Sequence, residues 1–182
     1  QEVGVLGDNK QLIKHEYFFQ VRDNTHHINL WRNLDRLKKD LLTLSPNDKK
    51  EINRFVKILK RISHIELPCK ANEQMGFWGN MRILFKMIAA IPTAVKYFSV
   101  SLKDYAERFQ HPLIRQLIYN YLPDKYNVVS VFYMFAMFCS GNADLPKGGS
   151  QAITDNMTKK FLDLGGSIHC KKKVVKIDIQ DN

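Results

Sequence analysis

Two glycine pairs, Gly148-Gly149 and Gly165-Gly166, bracket a run in which Ile153, Met157, Phe161 and Leu164 recur at helical spacing. Glycine has no Cβ and tolerates positive φ, so Pro146-Lys147-Gly148-Gly149-Ser150 predicts a sharp turn, with Ser150 capping the first amides of a helix. The four apolar residues define one buried face of that helix. Gly165 falls where a helix C-terminus calls for a left-handed residue, and Gly166 carries the turn onward. Two short strands are then expected, Ser167 to Cys170 and Val174 to Ile179, the second alternating Val175, Ile177 and Ile179 with Val174, Lys176 and Asp178.

Upstream, the pattern is helical with one early exception. Leu12 to Val21, a polar turn at Arg22-Asp23-Asn24-Thr25 and His26 to Trp31 predict a strand pair. Leu34, Leu37, Leu41 and Leu44 follow at helical intervals. Ser45-Pro46 interrupts them before a long helix over 47–65, whose buried stripe is Ile52, Phe55, Val56, Leu59 and Ile62. Pro68 breaks the chain. Residues 77–98, which include Trp78 and Phe85, are apolar nearly all round but interrupted by Arg82, Lys86 and Pro92. Its apolar run, Phe77 to Ile91, is too short and too charged to span a bilayer, which takes about 20 predominantly apolar residues. Two roles stay open for it: a buried helix, or an interfacial or tunnel-lining helix that admits a lipophile. Val128 to Phe138 carries more apolar residues than one helical face holds, so Phe132, Phe135 and Phe138 belong to a core or line an apolar pocket.

A net charge of +10 over 182 residues invites a polyanion partner. Yet Arg32 to Lys39 and Lys49 to Arg61 alternate with the apolar positions of amphipathic helices, as solvated faces do. Attraction to an anionic membrane surface is the second reading, and no nucleic-acid module supports a third. Three widely spaced cysteines, Cys69, Cys139 and Cys170, suit neither a disulfide framework nor a zinc knuckle. With no signal-peptide pattern, a reducing cytoplasmic compartment is expected, with membrane association left open. Adjacent His26 and His27 point to opposite faces of a strand, and the other histidines lack companions at ligand spacing, so no metal site is expected. No nucleophile elbow or paired carboxylates mark a catalytic residue.

Several segments carry a family resemblance: Pro146-x-Gly148-Gly149-Ser150, Gly165-Gly166-x-Ile168, Val174-x-x-Ile177, Phe18-Phe19-Gln20-Val21-Arg22-Asp23, Ile28-Asn29-Leu30, Leu44-Ser45-Pro46-Asn47-Asp48 and Phe109 to Arg115. Together they resemble the phytoene-dehydrogenase-related FAD-dependent oxidoreductases, which include carotenoid desaturases and retinol saturases. The resemblance implies an α+β fold. Residues 1–145 would be a mainly helical substrate-binding domain with a small antiparallel sheet, and residues 146–182 the start of the return into the FAD-binding domain. It further implies a lipophilic polyene or isoprenoid-like substrate held by Phe132, Phe135, Phe138, Trp78 and Phe85. Hydride would pass between substrate and flavin, with Val174 meeting the adenine through its backbone and Gly148 and Gly149 approaching the cofactor.

The family's G-x-G-x-x-G turn is missing, since Val3-Gly4-Val5-Leu6-Gly7-Asp8 has no third glycine at the needed spacing. The chain is therefore expected to be an internal part of such an enzyme, without FAD or activity of its own, and exposed apolar surface could pair two copies. A stand-alone lipid-binding or membrane-surface module, and a basic interaction protein, remain the alternatives.

Overall fold

A helix that is apolar on every side is stable in water only when neighbours cover it on every side. Val128–Cys139 comes close to this, with Ser130 and Tyr133 alone exposed, and the way its other sides are covered organises most of the chain. A computed structural model describes residues 12–64, 76, 78, 80–81, 85, 88 and 91–177. The chain divides into two compact units, one of Lys14–Asp144 and one of Gln1–Ile13 with Leu145–Asn182. Short antiparallel ladders beside seven helices among the described residues make the fold α+β and mainly helical.

The larger unit opens with a hairpin of β2 (Tyr17–Arg22) and β3 (His27–Trp31). Asp23 builds the turn, its carboxylate accepting from the backbone amides of Thr25 and His26 and from the Thr25 hydroxyl. Tyr17 pairs with Trp31 and Gln20 with Asn29, so Phe18 and Phe19 together oppose Leu30. This bulge breaks the alternation of faces. Both phenylalanines consequently reach the same core, Phe18 against Phe138 and Phe135, Phe19 against Tyr121 and Phe135.

Next come α1 (Leu34–Leu44), a 3-10 turn (Pro46–Asp48) and α2 (Lys49–Ser63). Asn33 caps α1 by accepting from the amides of Asp35 and Arg36. Helix α2 buries Ile52, Phe55, Val56, Leu59 and Ile62, the expected stripe, together with Ile58. Further along, α3 (Ile91–Tyr97), α4 (Leu102–Ala106), α5 (Pro112–Tyr119) and α6 (Val128–Cys139) complete the unit. Helix α6 packs on α2, and Phe55, Tyr97, Tyr105, Phe132 and Phe135 meet there, mostly edge to face.

One polar contact ties this packing together. The buried Asp48 carboxylate accepts from the Ser45 hydroxyl and, across 62 residues of chain, from the amides of Gln110 and His111 at the start of α5. Those amides have no partner inside α5, and the positive end of the helix favours a carboxylate there.

In the smaller unit, β1 (Leu12–Ile13) pairs antiparallel with β4 (Leu145–Pro146), so Leu12 and Ile13 do not continue the hairpin strand as expected. Helix α7 (Gly149–Asp163) begins one residue ahead of Ser150. Gly148 and Gly149, both at positive φ, set its start, and no side chain caps it; Ser150 lies inside the first turn, not at the cap. The C-terminus follows expectation: Gly165 is left-handed, its amide donates to the Leu162 carbonyl and the Gly166 amide to the Phe161 carbonyl. A side chain at 166 would strike the Phe161 ring.

The strands expected at Ser167 to Cys170 and Val174 to Ile179 are corrected by the structure: the described residues 167–177 form no ladder. A lone two-stranded hairpin is marginal in water, and among the described residues this segment has no third strand to join. Residues 178–182, with the end of the second strand, lie outside the described residues. So do the Gly4 and Gly7 turn, Pro68, Cys69 and most side chains of 77–90.

Replacing Asp48 by alanine strands three donors. Stability to urea should fall by about 3 kcal/mol, with Asp48→Asn losing less because one acceptor oxygen remains. A denaturation midpoint unchanged in Asp48→Ala would remove Asp48 from its structural role.

Candidate functional site

Trp31 ends β3 and Asn33 caps α1, so the corner between them presents consecutive side chains outward from fixed backbone. Glu16, Trp31, Arg32, Asn33 and Arg36 enclose a cleft of about 430 Å³ at this corner. The indole is held in place: its Nε1 donates to Asp40 at 2.7 Å, the Tyr17 ring meets it edge-on, and the Arg36 guanidinium stacks 3.4 Å from its centroid. Arg36 also pairs with Glu16 at 3.6 Å.

Arg32 is the polar centre of the cleft. Its Nη2 donates to Asp144, its guanidinium lies 4.8 Å over the Phe138 ring, and its Nε is buried with no hydrogen-bond partner. The Arg32 guanidinium beside Asp144 holds that carboxyl below its ordinary range. Nearby, the Cys139 thiol donates to the Trp31 carbonyl at 3.8 Å, and burial pushes it up to about 11, so it stays protonated at neutral pH. Trp31 is the one aromatic residue in the lining, beside Glu16, Arg32, Asn33 and Arg36, so the cleft is chiefly polar and charged.

The residues expected to line a substrate pocket do not converge. Phe132, Phe135 and Phe138 are buried on α6, where they pack on Phe55, Tyr105 and Phe18. Trp78 and Phe85 are 82% and 64% exposed. None of the five lines the corner cleft, although the Phe138 ring lies under the Arg32 guanidinium. Val174 is largely exposed, and Gly148 and Gly149 form the left-handed entry to α7 in the smaller unit. The cleft residues themselves were not among the expected ones. Arg32 and Asp144 are 112 positions apart, and nothing local in the sequence joins them.

His26 and His111 rings lie 6.4 Å apart, but no group of three metal-ligating side chains occurs among the described residues. Among the same residues, no helix is long and apolar enough to cross a membrane. Compared with models of known protein families, with curated proteins and with solved structures, the chain matches none.

The Arg32–Asp144 pair sets a pH dependence. Asp144 titrates lower in the fold than unfolded, so its contribution is present above the ordinary value of 3.8 and is lost as pH falls through the lower folded value. Acid unfolding of Arg32→Met should lose that proton-linked component. Superimposable acid transitions for variant and parent would refute the assignment.

Proposed function

We propose that this chain is the substrate-binding part of an FAD-dependent oxidoreductase of the phytoene-dehydrogenase-related kind, acting on a lipophilic, polyene- or isoprenoid-like substrate. The observation that carries the reading is the pairing of Leu12–Ile13 with Leu145–Pro146. Through it the Lys14–Asp144 unit leaves and rejoins the chain at one two-stranded ladder, as an inserted substrate domain does. The ladder leads directly into the left-handed Gly148-Gly149 turn and α7.

A second support is physical. Among its described residues, the smaller unit buries no side chain, although Met157, Phe161, Leu164 and Ile168 are large and apolar. Such a helix lacks a core of its own and gains by packing on further structure. A nucleotide-binding domain is the partner this reading supplies.

FAD, when bound, supplies the hydride acceptor or donor. Of this chain's residues, the Val174 backbone and the Gly148-Gly149 turn fit an approach to the cofactor. A Cβ at Gly149 would meet nothing within 4 Å, and Val174 lies in an open segment. Gly149 and Val174 leave room without gripping a pyrophosphate, while a Cβ at Gly148 would strike Ala152, so FAD binding depends on sequence beyond them. The cleft at Trp31 and Arg32, lined by one aromatic ring among polar and charged side chains, suits the polar end of the substrate rather than its hydrocarbon.

The test is to purify the natural gene product that carries this chain and measure released flavin, then turnover of a retinoid or carotenoid. Bound flavin is expected in that protein and none in residues 1–182 alone. Gly149→Val should deplete the flavin, whereas Arg32→Met should raise KM and leave the flavin in place. A gene product that purifies without flavin and acquires none on incubation with FAD ends the proposal.

A further inference from the structure

Helix α2 turns Arg54, Lys57 and Arg61 to one side, at spacings of three and four residues, with the buried Ile58 between them. Across from them, α3 offers Pro92, Thr93, Lys96 and Tyr97. The two helices enclose a cleft of about 240 Å³ that carries four cations and no carboxylate in its lining. Glu51 neutralises Arg54 at 2.7 Å. Among the described residues no ion pair joins Lys57, Arg61 or Lys96. Like charges gathered in this way repel, and an anion between them removes the repulsion.

The inner wall of the cleft is Tyr97, 2% exposed, whose ring packs edge-to-face on Tyr105 and Phe132 at 5.6 and 5.5 Å and whose hydroxyl, like that of Tyr105, is held in the core. The buried Thr93 also lines the cleft and brings a hydroxyl to it. Guanidinium, ammonium and hydroxyl donors around one small space match a phosphoryl group, with its several acceptor oxygens.

The outer face of α3 decides where that phosphoryl group comes from. Ile91, Val95 and Phe98 fall at i, i+4 and i+7, and Val95 and Phe98 are each 74% exposed. Three large apolar side chains in one stripe, with Lys96 beside them, form the pattern of a helix lying in a lipid interface. A dissolved phosphate would have no use for the stripe. We propose that the α2–α3 cleft binds the phosphate headgroup of an anionic membrane lipid while Ile91, Val95 and Phe98 enter the acyl-chain boundary. Attachment is peripheral. It stands apart from the oxidoreductase reading, since a protein without flavin would still bind the lipid.

The experiment is co-sedimentation of the 182-residue chain with vesicles of phosphatidylcholine, with or without phosphatidic acid. Binding is expected only with phosphatidic acid and should weaken with salt. The triple variant Lys57→Gln, Arg61→Gln, Lys96→Gln should bind about a hundredfold more weakly. Lys39→Gln, Lys49→Gln, Lys50→Gln removes equal charge from exposed positions elsewhere and should cost less than about tenfold. Val95→Asp, Phe98→Asp should abolish vesicle binding and leave calorimetric binding of inorganic phosphate unchanged. Circular dichroism and thermal melting confirm that each variant is folded. Equal losses from the two triple variants would reduce the site to diffuse charge. Vesicle binding indifferent to Val95→Asp, Phe98→Asp, or an RNA oligomer bound as tightly as the vesicles, would overturn the lipid as occupant.

Discussion

Helix α6 is apolar on all but the side of Ser130 and Tyr133, and covering the rest is the constraint under which the Lys14–Asp144 unit folds. The hairpin covers it with Phe18 and Phe19, α2 with Phe55, and α3 and α4 with Tyr97 and Tyr105. A fully buried phenylalanine contributes about 2 to 3 kcal/mol through its area, and edge-to-face contacts add about 1. Surface ion pairs such as Asp35–Lys60 are minor beside this. Because the coverage is mostly aromatic, the neighbours must approach at particular angles, which makes the arrangement specific as well as stable.

Polar contacts fix what burial leaves undetermined. Apolar packing alone would let α5 slide along its neighbours, but the Asp48 carboxylate accepts two successive amides and so sets where α5 begins. At the other end of the unit, Arg32 joins Asp144 and lies over Phe138. Each contact couples segments far apart in sequence through charge-assisted hydrogen bonds, which are stronger and more directional than neutral ones.

Where structure follows from local periodicity or from one backbone requirement, the sequence reveals it. The α2 stripe, the Asp23 turn and the left-handed Gly165 are of this kind. Helix α6 was legible as a run too apolar for one face, though not as the centre of the unit. Ser150 looked like a cap, but the glycine pair before it can itself adopt the left-handed geometry that starts a helix. Val174 to Ile177 alternates as a strand does, and alternation without a partner edge builds no ladder. The bulge at Phe18-Phe19 also escapes pattern reading, since two adjacent aromatics on one face contradict strand periodicity. Of the candidate sites, the glycine turn could be read beforehand. The Arg32 cleft and the α2–α3 cleft could not, because each is assembled from residues that only the tertiary fold brings together.

The two-rung ladder between Leu12–Ile13 and Leu145–Pro146 has a consequence for how such a unit is inherited. Strands paired in this way run about 5 Å apart, so the segment between them starts and finishes at nearly the same point. A stretch with coincident ends can be spliced into a host loop, or exchanged for another of different length, without prying that loop open. The length and composition of that stretch could then change while the ladder at its base kept its register.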